Sequence, residues 1–287
     1  MPWRPSTKLG ASSSSLKLPP KAGKSADKHA IYKILVSEIM LQQTQVSRVR
    51  EQYPKFLKNF PNFQSLARAR TADVIIAWQG MGYNRRALNL QKLATIVIKK
   101  YQGNLPSDPE LLEELPGIGK ATAGSIVAFA FNKPVPFIET NIRRVFIHYF
   151  FDINEPRKST NMQTRRRSKI SDKDILPLVQ KTLPTNSTSR THSVRQWYYA
   201  LMDYGAMLRK IIPNPNVRSA HYLRQSKFEG SARQLRGAIL RSLLNGPRSI
   251  RELRKSHKQF KGRFDKILLS LQQEGFLVRR ATMIQLV

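Results

Sequence analysis

The stretch that decides the fold is the ten-residue string at positions 115–124, which reads LPGIGKATAG. Gly117 and Gly119 permit a sharp turn and a close backbone approach. A helix predicted over 120–131 follows that turn, and its first amides, with the charge of Lys120, suit a phosphate oxygen. The string therefore predicts a helix–hairpin–helix motif, which binds the DNA backbone without reading its sequence.

Helical patterns extend outward from this string in both directions. Helices are predicted from residue 30 to about residue 151, and the breakers that separate them are Pro54, Asn62, Gly80–Gly82, Gly103–Pro106, Pro116–Gly119 and Asn132–Pro136. Asp108 and Pro109 can start the helix before the turn. Two more helices are predicted over 172–183 and 193–210, the first with Ser171 and Asp174 as a capping pair. Because the alternation typical of strands is almost absent, we expect an all-α fold.

The two ends of the chain differ from this helical region, which we assign to residues 29–225. Residues 1–28 are rich in Pro, Ser and Lys with Asp27 as their one acid, a composition that predicts a disordered basic arm. Residues 231–287 show the order helix, short helix, helix, strand pair, which predicts a winged-helix-like DNA-binding domain. A helical tail with a solvated basic face is the alternative. A polar, basic linker is predicted over 154–169.

Charge and composition indicate the partner. The chain has 287 residues, 50 Lys and Arg against 18 Asp and Glu, and a formal charge of +32. Such a charge favours a polyanionic partner, with double-stranded DNA as the first candidate and an acidic membrane surface as the second. The sequence has no cysteine, which excludes disulfides, thiolate metal sites and iron–sulfur clusters. We also expect a cytoplasmic, nucleoid-associated bacterial monomer without cofactor, metal or membrane contact.

Glu38 is a candidate general acid. Residues 31–49 carry apolar side chains at the spacing of one helix face, and Glu38 falls on that face. Burial there would disfavour the charged carboxylate and raise its pKa, as an acid working near neutral pH requires. An interhelical salt bridge is an equally good interpretation of its position.

Glu139 is a candidate anionic stabiliser. A helix is predicted from about residue 138 through Phe146, with Glu139 in or just before its first turn. Free amides and the helix dipole favour an anion there, and hydrogen bonds to the charged form would lower its pKa. Two glutamates with opposite shifts would form an acid and an anion at one site. Glutamate in a first helical turn is also common without any function.

Five strings in the chain together resemble a known superfamily. They are SEIMLQQTQV at 37–46, GMGY at 80–83, LPGIGKATAG at 115–124, ETN at 139–141 and ALMDYGAM at 200–207. Over roughly residues 30–210 the chain resembles the helix–hairpin–helix DNA glycosylases, and most closely their MutY branch, the A/G-specific adenine glycosylases. The resemblance implies a two-lobed all-helical fold and an adenine flipped out of the duplex into a pocket.

The resemblance also implies roles for individual residues. Glu38 matches the glutamate that protonates the adenine ring, and Glu139 matches an aspartate that stabilises the cationic sugar. The implied DNA-binding residues are Gln42, Gln43, Tyr83, Gly117, Gly119, Lys120 and Thr122, of which Gln42 and Tyr83 match positions that intrude into the base stack. The implied base-pocket residues are Trp3, Arg4 and Asp203.

Departures from the family pattern modify what is expected. Glu139 stands where the family has aspartate, one methylene shorter. The segment 208–213 lacks the cysteines that hold an iron–sulfur cluster in the family. Ala121 occupies the position of the lysine found in lyase members, with Lys120 one place early, so we expect a monofunctional glycosylase. The winged-helix-like tail stands in place of the family's C-terminal 8-oxoguanine-sensing domain.

The function expected from these observations is hydrolysis of the N-glycosidic bond of adenine mispaired with guanine or 8-oxoguanine. Two alternatives remain open. One is a glycosylase for thymine or uracil opposite guanine, since sister branches share the hairpin. The other is a DNA-binding protein without catalytic activity.

Overall fold

The computed structural model describes residues 27–152, 169–184, 193–260 and 262–287. They form two compact units: the first holds the described residues up to Pro106 together with Glu114–Ile118 and Ser226–Val287, and the second holds the rest. The predicted arm lies outside the described residues apart from Asp27, whose carboxylate caps the first helix, and Lys28, which begins it. None of the described helices is both long enough and apolar enough to cross a bilayer.

The described residues are mainly helical, as the sequence predicts. The helices are α1 (Lys28–Leu41), α2 (Val46–Asn59), α3 (Phe63–Arg68), α4 (Thr71–Ala77), α5 (Arg85–Tyr101), α6 (Pro109–Glu113), α7 (Lys120–Phe131), α8 (Thr140–Phe146), α9 (Asp172–Thr182), α10 (Val194–Ile211), α11 (Ala232–Ser242), α12 (Ile250–Ser256) and α13 (Phe264–Gln273). A π-helical turn (Ile147–Asp152) and two 3₁₀ turns (Pro215–Arg218 and Lys258–Phe260) complete the helical elements of these residues.

The first unit is built around α1, which packs against α2 and α5. Tyr32 and Leu35 of α1 are fully buried, as are Phe56 of α2 and Leu93 of α5. The Tyr32 hydroxyl donates a hydrogen bond of 2.7 Å to the carbonyl of Phe60, which joins α1 to the end of α2. This packing fixes the helix that carries Glu38.

The single helical face predicted over 31–49 is wrong. α1 ends at Leu41 and α2 begins at Val46, whose side chain is 42% exposed. Between them Gln43 adopts a left-handed conformation with φ +52°. Arg86 of α5 donates hydrogen bonds to the carbonyls at the end of α1. The helix therefore ends there, although the apolar spacing in the sequence continues.

Pro54, predicted to be a helix breaker, lies inside α2. Proline lacks the amide that would bond the carbonyl of Arg50 in the previous turn. Arg50 and Pro54 are both exposed, so water can satisfy that carbonyl and the helix continues.

The second unit contains a close crossing of α8 and α10 at Gly205. A Cβ atom on Gly205 would lie 2.3 Å from the carbonyl oxygen of Asn141. Only glycine permits this approach, which places the start of α8 directly against α10. Two predicted caps are also present here: Asp108 accepts from the amide of Glu110 at 2.8 Å, and Ser171 forms a capping box at the start of α9.

The C-terminal residues show the predicted element order. After α11, α12 and α13 come strands β2 (Leu277–Arg280) and β3 (Met283–Leu286), and a two-residue strand β1 (Arg248–Ser249), which the sequence did not predict, pairs with β3. The antiparallel sheet has the order β1-β3-β2, with Leu277 opposite Leu286. We call residues 231–287 the C-terminal module. It belongs to the same compact unit as α1–α5.

Candidate catalytic carboxylates and nucleic-acid interface

Glu38 is buried in the first unit, with 8% of its surface exposed. The predicted burial is therefore confirmed. Every residue of α1 from Ile34 to Met40 is buried, so the helix is covered on all sides rather than along one face. Glu38 thus lies in surroundings from which most water is removed, which is the environment a general acid needs.

Arg86, at the start of α5, holds the end of α1 in place. Its guanidinium group donates hydrogen bonds to carbonyl oxygens of Ile39 (2.9 Å), Met40 (2.8 Å), Gln42 (2.6 Å), Met81 (3.1 Å) and Gly82 (3.1 Å), and to the hydroxyl of Thr44 (2.8 Å). Three of these carbonyls lie at or just past the end of α1, where a helix leaves carbonyls without intrahelical partners. Arg86 therefore ends α1 and joins it to the loop at residues 80–84.

The charge on Arg86 survives its burial. Desolvation lowers the pKa of Arg86 to about 10, so the group remains a cation at neutral pH. The guanidinium carbon lies 5.4 Å from the ring centroid of Trp78 and 5.7 Å from that of Tyr83, distances that favour cation–π attraction. One buried cation thus positions the segments that carry Gln42 and Tyr83.

Tyr83 lies in the left-handed region of backbone conformation, with φ +43°, like Gln43 in the other loop. For side chains other than glycine this conformation costs about 1–3 kcal/mol and persists where the surroundings determine it. Gly82, with φ +67°, precedes Tyr83, and its carbonyl accepts a hydrogen bond of 3.2 Å from the Trp78 indole N–H. Of the two residues predicted to meet the bases, Tyr83 is therefore itself strained and Gln42 precedes the strained Gln43. Arg86 bonds the backbone next to both strained residues.

The predicted hairpin turn is present between α6 and α7, and it contacts Gln42. Gly117 adopts φ +84°, and its carbonyl accepts a hydrogen bond of 3.1 Å from the Gln42 side chain. A Cβ atom on Gly117 would lie 3.0 Å from the Asn89 side chain, so any other residue there would be both strained in its backbone and crowded by Asn89. Gln42 and Gly117, predicted from separate strings, are thus in direct contact.

Positive φ, which both hairpin glycines permit, is not adopted by Gly119. Its φ is −110°, an extended conformation open to any residue, and it is the N-cap of α7. No described side chain caps α7, Lys120 is exposed, and Thr122 lies in the first turn. A Cβ atom on Gly119 would meet no other heavy atom within 4 Å, so the glycine leaves open space beside the amides that begin α7.

Glu139 is the N-cap of α8. One of its carboxylate oxygens accepts from the amides of Asn141 (2.7 Å) and Ile142 (2.9 Å), and the other accepts from the Asn141 side chain at 3.3 Å. The predicted position at the helix start is confirmed. The carboxylate is held in one orientation by three donors.

The prediction of a lowered pKa for Glu139 is wrong. Burial raises the pKa of the Glu139 carboxyl above its ordinary value, and this outweighs the opposing effects of the two amide hydrogen bonds and of Arg143 and Arg144. The amides at the helix start can be predicted from the sequence, but the loss of hydration around the carboxylate depends on tertiary packing and cannot. Of the two opposite shifts predicted, the one assigned to Glu139 therefore does not occur.

Arg144 of α8 forms hydrogen bonds that hold the start of α8 against α10. It is 3% exposed, and it donates to the Asn141 side chain at 2.7 Å and to the carbonyl of Gly205 at 2.6 Å. Desolvation by burial lowers its pKa. Asp203 lies on α10 two residues before Gly205, with its side chain exposed. Glu139 and Asp203 thus both belong to the crossing of α8 and α10.

The segment that follows α10 is fixed by hydrogen bonds. The buried Asn216 donates from its side chain to the carbonyl of Thr140 at 2.9 Å, next to Glu139. Ser219 forms a parallel bridge with Ile170. The chain has no cysteine, so the residues here do not fit the iron–sulfur cluster found in the family. Among the described residues, no group of three or more His, Asp and Glu side chains is placed to hold a metal ion.

The candidate catalytic and base-contacting residues are divided between the two units and the part of the chain that the structure does not describe. Glu38, Gln42, Gln43 and Tyr83 belong to the first unit, and Glu139 and Asp203 to the second. Trp3 and Arg4 lie outside the described residues.

Sequence reasoning missed Arg86 and Arg144. The available signal was an arginine at an apolar position of a helix: Arg86 directly precedes Ala87 and Leu88, and Arg144 precedes Val145 and Phe146.

Comparison with known proteins indicates the family of the chain. A family model described as "HhH-GPD superfamily base excision DNA repair protein" matches residues 36–170. The adenine DNA glycosylase of Mycolicibacterium smegmatis is 34% identical over 224 residues, which cover 73% of this chain and 70% of that protein. The adenine DNA glycosylase of Buchnera aphidicola subsp. Baizongia pistaciae is 38% identical over 177 residues, 62% of this chain. The match spans 45% of that Buchnera protein, less than half of its length.

One solved structure supports the fold. A thermostable thymine-DNA glycosylase superposes with a TM-score of 0.50 and 25% identity, covering 64% of this chain and 76% of that one.

Proposed function

Because the chain belongs to the HhH-GPD superfamily, in the branch whose curated members are named adenine DNA glycosylase, we propose that it is a base-excision-repair glycosylase. The proposed reaction is hydrolysis of the N-glycosidic bond of adenine mispaired with guanine or 8-oxoguanine. One observation carries the proposal. Glu38 is buried one helical turn before Gln42, and the Gln42 side chain bonds the hairpin turn at Gly117.

In the proposed mechanism the two glutamates have different roles. Glu38 gives its proton to the ring of a flipped adenine, and the N-glycosidic bond breaks with its electron pair moving to the base. The sugar becomes cationic, and the Glu139 carboxylate stabilises that charge. Water adds to the sugar carbon and releases a proton, which leaves an abasic site and free adenine. The three donors to Glu139 hold its oxygens in place before the charge develops.

Single-turnover excision on a panel of mispaired duplexes tests this proposal. We expect abasic product from adenine opposite guanine or 8-oxoguanine, and a loss of about 100-fold or more in the Glu38→Gln variant, which keeps the side-chain shape without the acid. Glu51→Gln is the matched control, since Glu51 is an exposed glutamate on α2. Equal rates for wild type and Glu38→Gln would refute the assignment.

A second candidate substrate is thymine or uracil opposite guanine. The specific observation in its favour is the structural similarity to a thymine-DNA glycosylase at 25% identity. Release of thymine or uracil without release of adenine, on the same panel, would establish this alternative. Binding without release of any base would favour a DNA-binding protein that lacks catalysis.

The proposed enzyme is monofunctional. The first turn of α7 presents Ala121, exposed, where lyase members of the superfamily carry an amine. The amine that lyase members use to form an imine with the abasic sugar is therefore missing from that position, with Lys120 one residue earlier. Borohydride treatment should therefore trap no covalent protein–DNA complex, and strand breaks should need added alkali.

We propose that the C-terminal module adds contacts to the DNA backbone. Arg248 of β1 and Arg279 and Arg280 of β2 are exposed on the three-stranded sheet. Replacing Arg279 and Arg280 by Gln should weaken duplex binding and reduce its dependence on salt. The proposed partner is double-stranded DNA alone, bound by a cytoplasmic monomer without a cofactor.

A further inference from the structure

The C-terminal module packs directly on the helices that lead to Tyr83. Its apolar core, which includes Leu235 and Ile239 of α11, is continuous with Ile75 of α4 and Leu88 of α5. All four side chains are at least 96% buried. Since the module and α5 share one core, α11 has a fixed position relative to the segment that begins α5.

An ion pair fixes the same junction. Glu274, at the end of α13, accepts from Arg85 at 3.0 Å, from Arg236 at 2.7 Å and 2.8 Å, and from the Ser270 hydroxyl at 2.7 Å. Burial alone would raise the pKa of Glu274, but these hydrogen bonds outweigh it and lower the pKa to about 2. The carboxylate therefore stays ionised throughout the physiological range. Arg85 follows Tyr83 by two residues, so the pair lies beside the 80–84 loop.

Arg233 of α11 contacts Tyr83 itself. Its guanidinium group donates a hydrogen bond of 3.0 Å to the Tyr83 hydroxyl, and the guanidinium carbon lies 5.8 Å from the ring centroid. The other terminal nitrogen donates to the carbonyl of Ser226 at 2.6 Å, which fixes the orientation of the guanidinium. The ring of Tyr83 is thus held by Arg86 from α5 and by Arg233 from the module.

This second contact bears on a residue with strained backbone. Tyr83 has φ +43°, a conformation that returns to an extended one unless its surroundings hold it. An aromatic ring already held in one orientation loses less entropy when it enters a base stack than a ring free to rotate. Arg233 therefore lowers the cost of presenting Tyr83 to DNA.

We infer that Arg233 is a positioning residue through which the C-terminal module orients Tyr83 for recognition of the lesion. The module then acts in two ways, as a backbone contact and as a support for the residue that meets the bases. The inference rests on the proposed function in one respect, namely that Tyr83 meets the bases at the lesion.

The test compares affinity for a lesion with affinity for undamaged DNA. The probes are two duplexes of equal length, one with a tetrahydrofuran abasic analogue opposite 8-oxoguanine and one fully paired, and the measured quantity is the ratio of their dissociation constants. Arg233→Met should reduce this preference about five- to tenfold, the effect of losing one charge-assisted hydrogen bond. Arg241→Met, which removes the same charge from an exposed position of α11, should lower both affinities equally.

A double-mutant cycle separates positioning from general weakening. Tyr83→Phe removes the hydroxyl that Arg233 bonds and keeps the ring. It should lower the lesion preference, and adding Arg233→Met should lower it little further, because one interaction is lost in both cases. In the free protein, amide hydrogen exchange at residues 80–84 should rise in Arg233→Met and remain unchanged in Arg241→Met.

Multiplicative effects of the two substitutions, an unchanged lesion preference in Arg233→Met, or unchanged exchange at residues 80–84 would each overturn the inference. Neither measurement requires base excision. A wild-type protein that releases no adenine would therefore contradict the proposed reaction without deciding the role of Arg233.

Discussion

Replacing Arg86 by Met should destabilise the first unit and release both loops that carry the predicted base-contacting residues. Methionine fills a similar apolar volume and donates no hydrogen bond. Six acceptors lose a hydrogen bond in this variant. Three carbonyls keep another donor, since the Trp78 indole still bonds Gly82 and the Thr44 hydroxyl reaches those of Gln42 and Met81. Ile39 and Met40 are buried, so water cannot easily replace the guanidinium at their carbonyls.

The loss of unfolding free energy in Arg86→Met can be worked out from those buried acceptors. Each buried acceptor left without a partner costs about 1–3 kcal/mol. Part of this is recovered, because the variant no longer buries a charge whose desolvation is strong enough to lower the pKa of Arg86 to about 10. We expect a net loss of about 3–5 kcal/mol, a large share of the roughly 5–15 kcal/mol that stabilises a folded protein. At about 2–4 °C per kcal/mol the thermal midpoint should fall by roughly 10 °C.

Thermal and urea unfolding, with amide hydrogen exchange at residues 40–45 and 80–84, measure this effect. Lys92→Met is the matched control, because Lys92 is an exposed cation on the same helix. Arg86→Lys should be intermediate, since an ammonium group keeps the charge but cannot reach acceptors on both loops at once. A midpoint within about 2 °C of the wild type, or a large loss without faster exchange in both loops, would refute this account of Arg86.

Three further predictions concern the second unit and the charge of the chain. Because burial raises the pKa of Glu139 above its ordinary 4.5, the excision rate should fall on acidification with a midpoint above that value. A raised folded-state pKa adds stability at low pH, so a simultaneous loss of folding in circular dichroism would contradict this origin of the acid limb. Gly205→Ala places a Cβ atom 2.3 Å from the Asn141 carbonyl and should cost about 3 kcal/mol or more in unfolding free energy, whereas Gly237→Ala, with open space around it, should not destabilise. The logarithm of the DNA association constant should fall steeply with the logarithm of salt concentration, by about 0.9 per phosphate neutralised, and a flat response would contradict the role assigned to the charge of +32.

The sequence predicted the elements that depend on local signals. α7 begins and ends where glycine and asparagine breakers place it, and the capping pair at Ser171 begins α9 as expected. These predictions hold because turns and caps are determined by a few adjacent residues. The break after Leu41 was not predicted, since its cause is Arg86, 45 residues further along the chain.

In the candidate site, too, features set by local sequence were predicted and features set by tertiary packing were not. The burial of Glu38 and the N-cap position of Glu139 follow from helix periodicity and helix ends, and both are confirmed. The pKa shift of Glu139 depends on how much water reaches the carboxylate, which is a property of tertiary packing. The contact between Arg233 and Tyr83 joins residues 150 positions apart, and no local pattern could indicate it.

The absence of cysteine from the sequence leaves one structural question, namely what holds the chain after α10. In the described residues, hydrogen bonds from a side-chain amide and from backbone amides hold this segment. Asn216 bonds the carbonyl of Thr140, and the amides of Ile170 and Ala220 bond the carbonyls of Arg218 and Ile170 at 2.9 Å and 2.8 Å. Since Thr140 directly follows Glu139, the order of this segment and the orientation of the Glu139 cap depend on each other. In the proposed mechanism the Glu139 carboxylate meets a developing charge and must be fixed beforehand. Hydrogen bonds from the segment after α10 help to fix it.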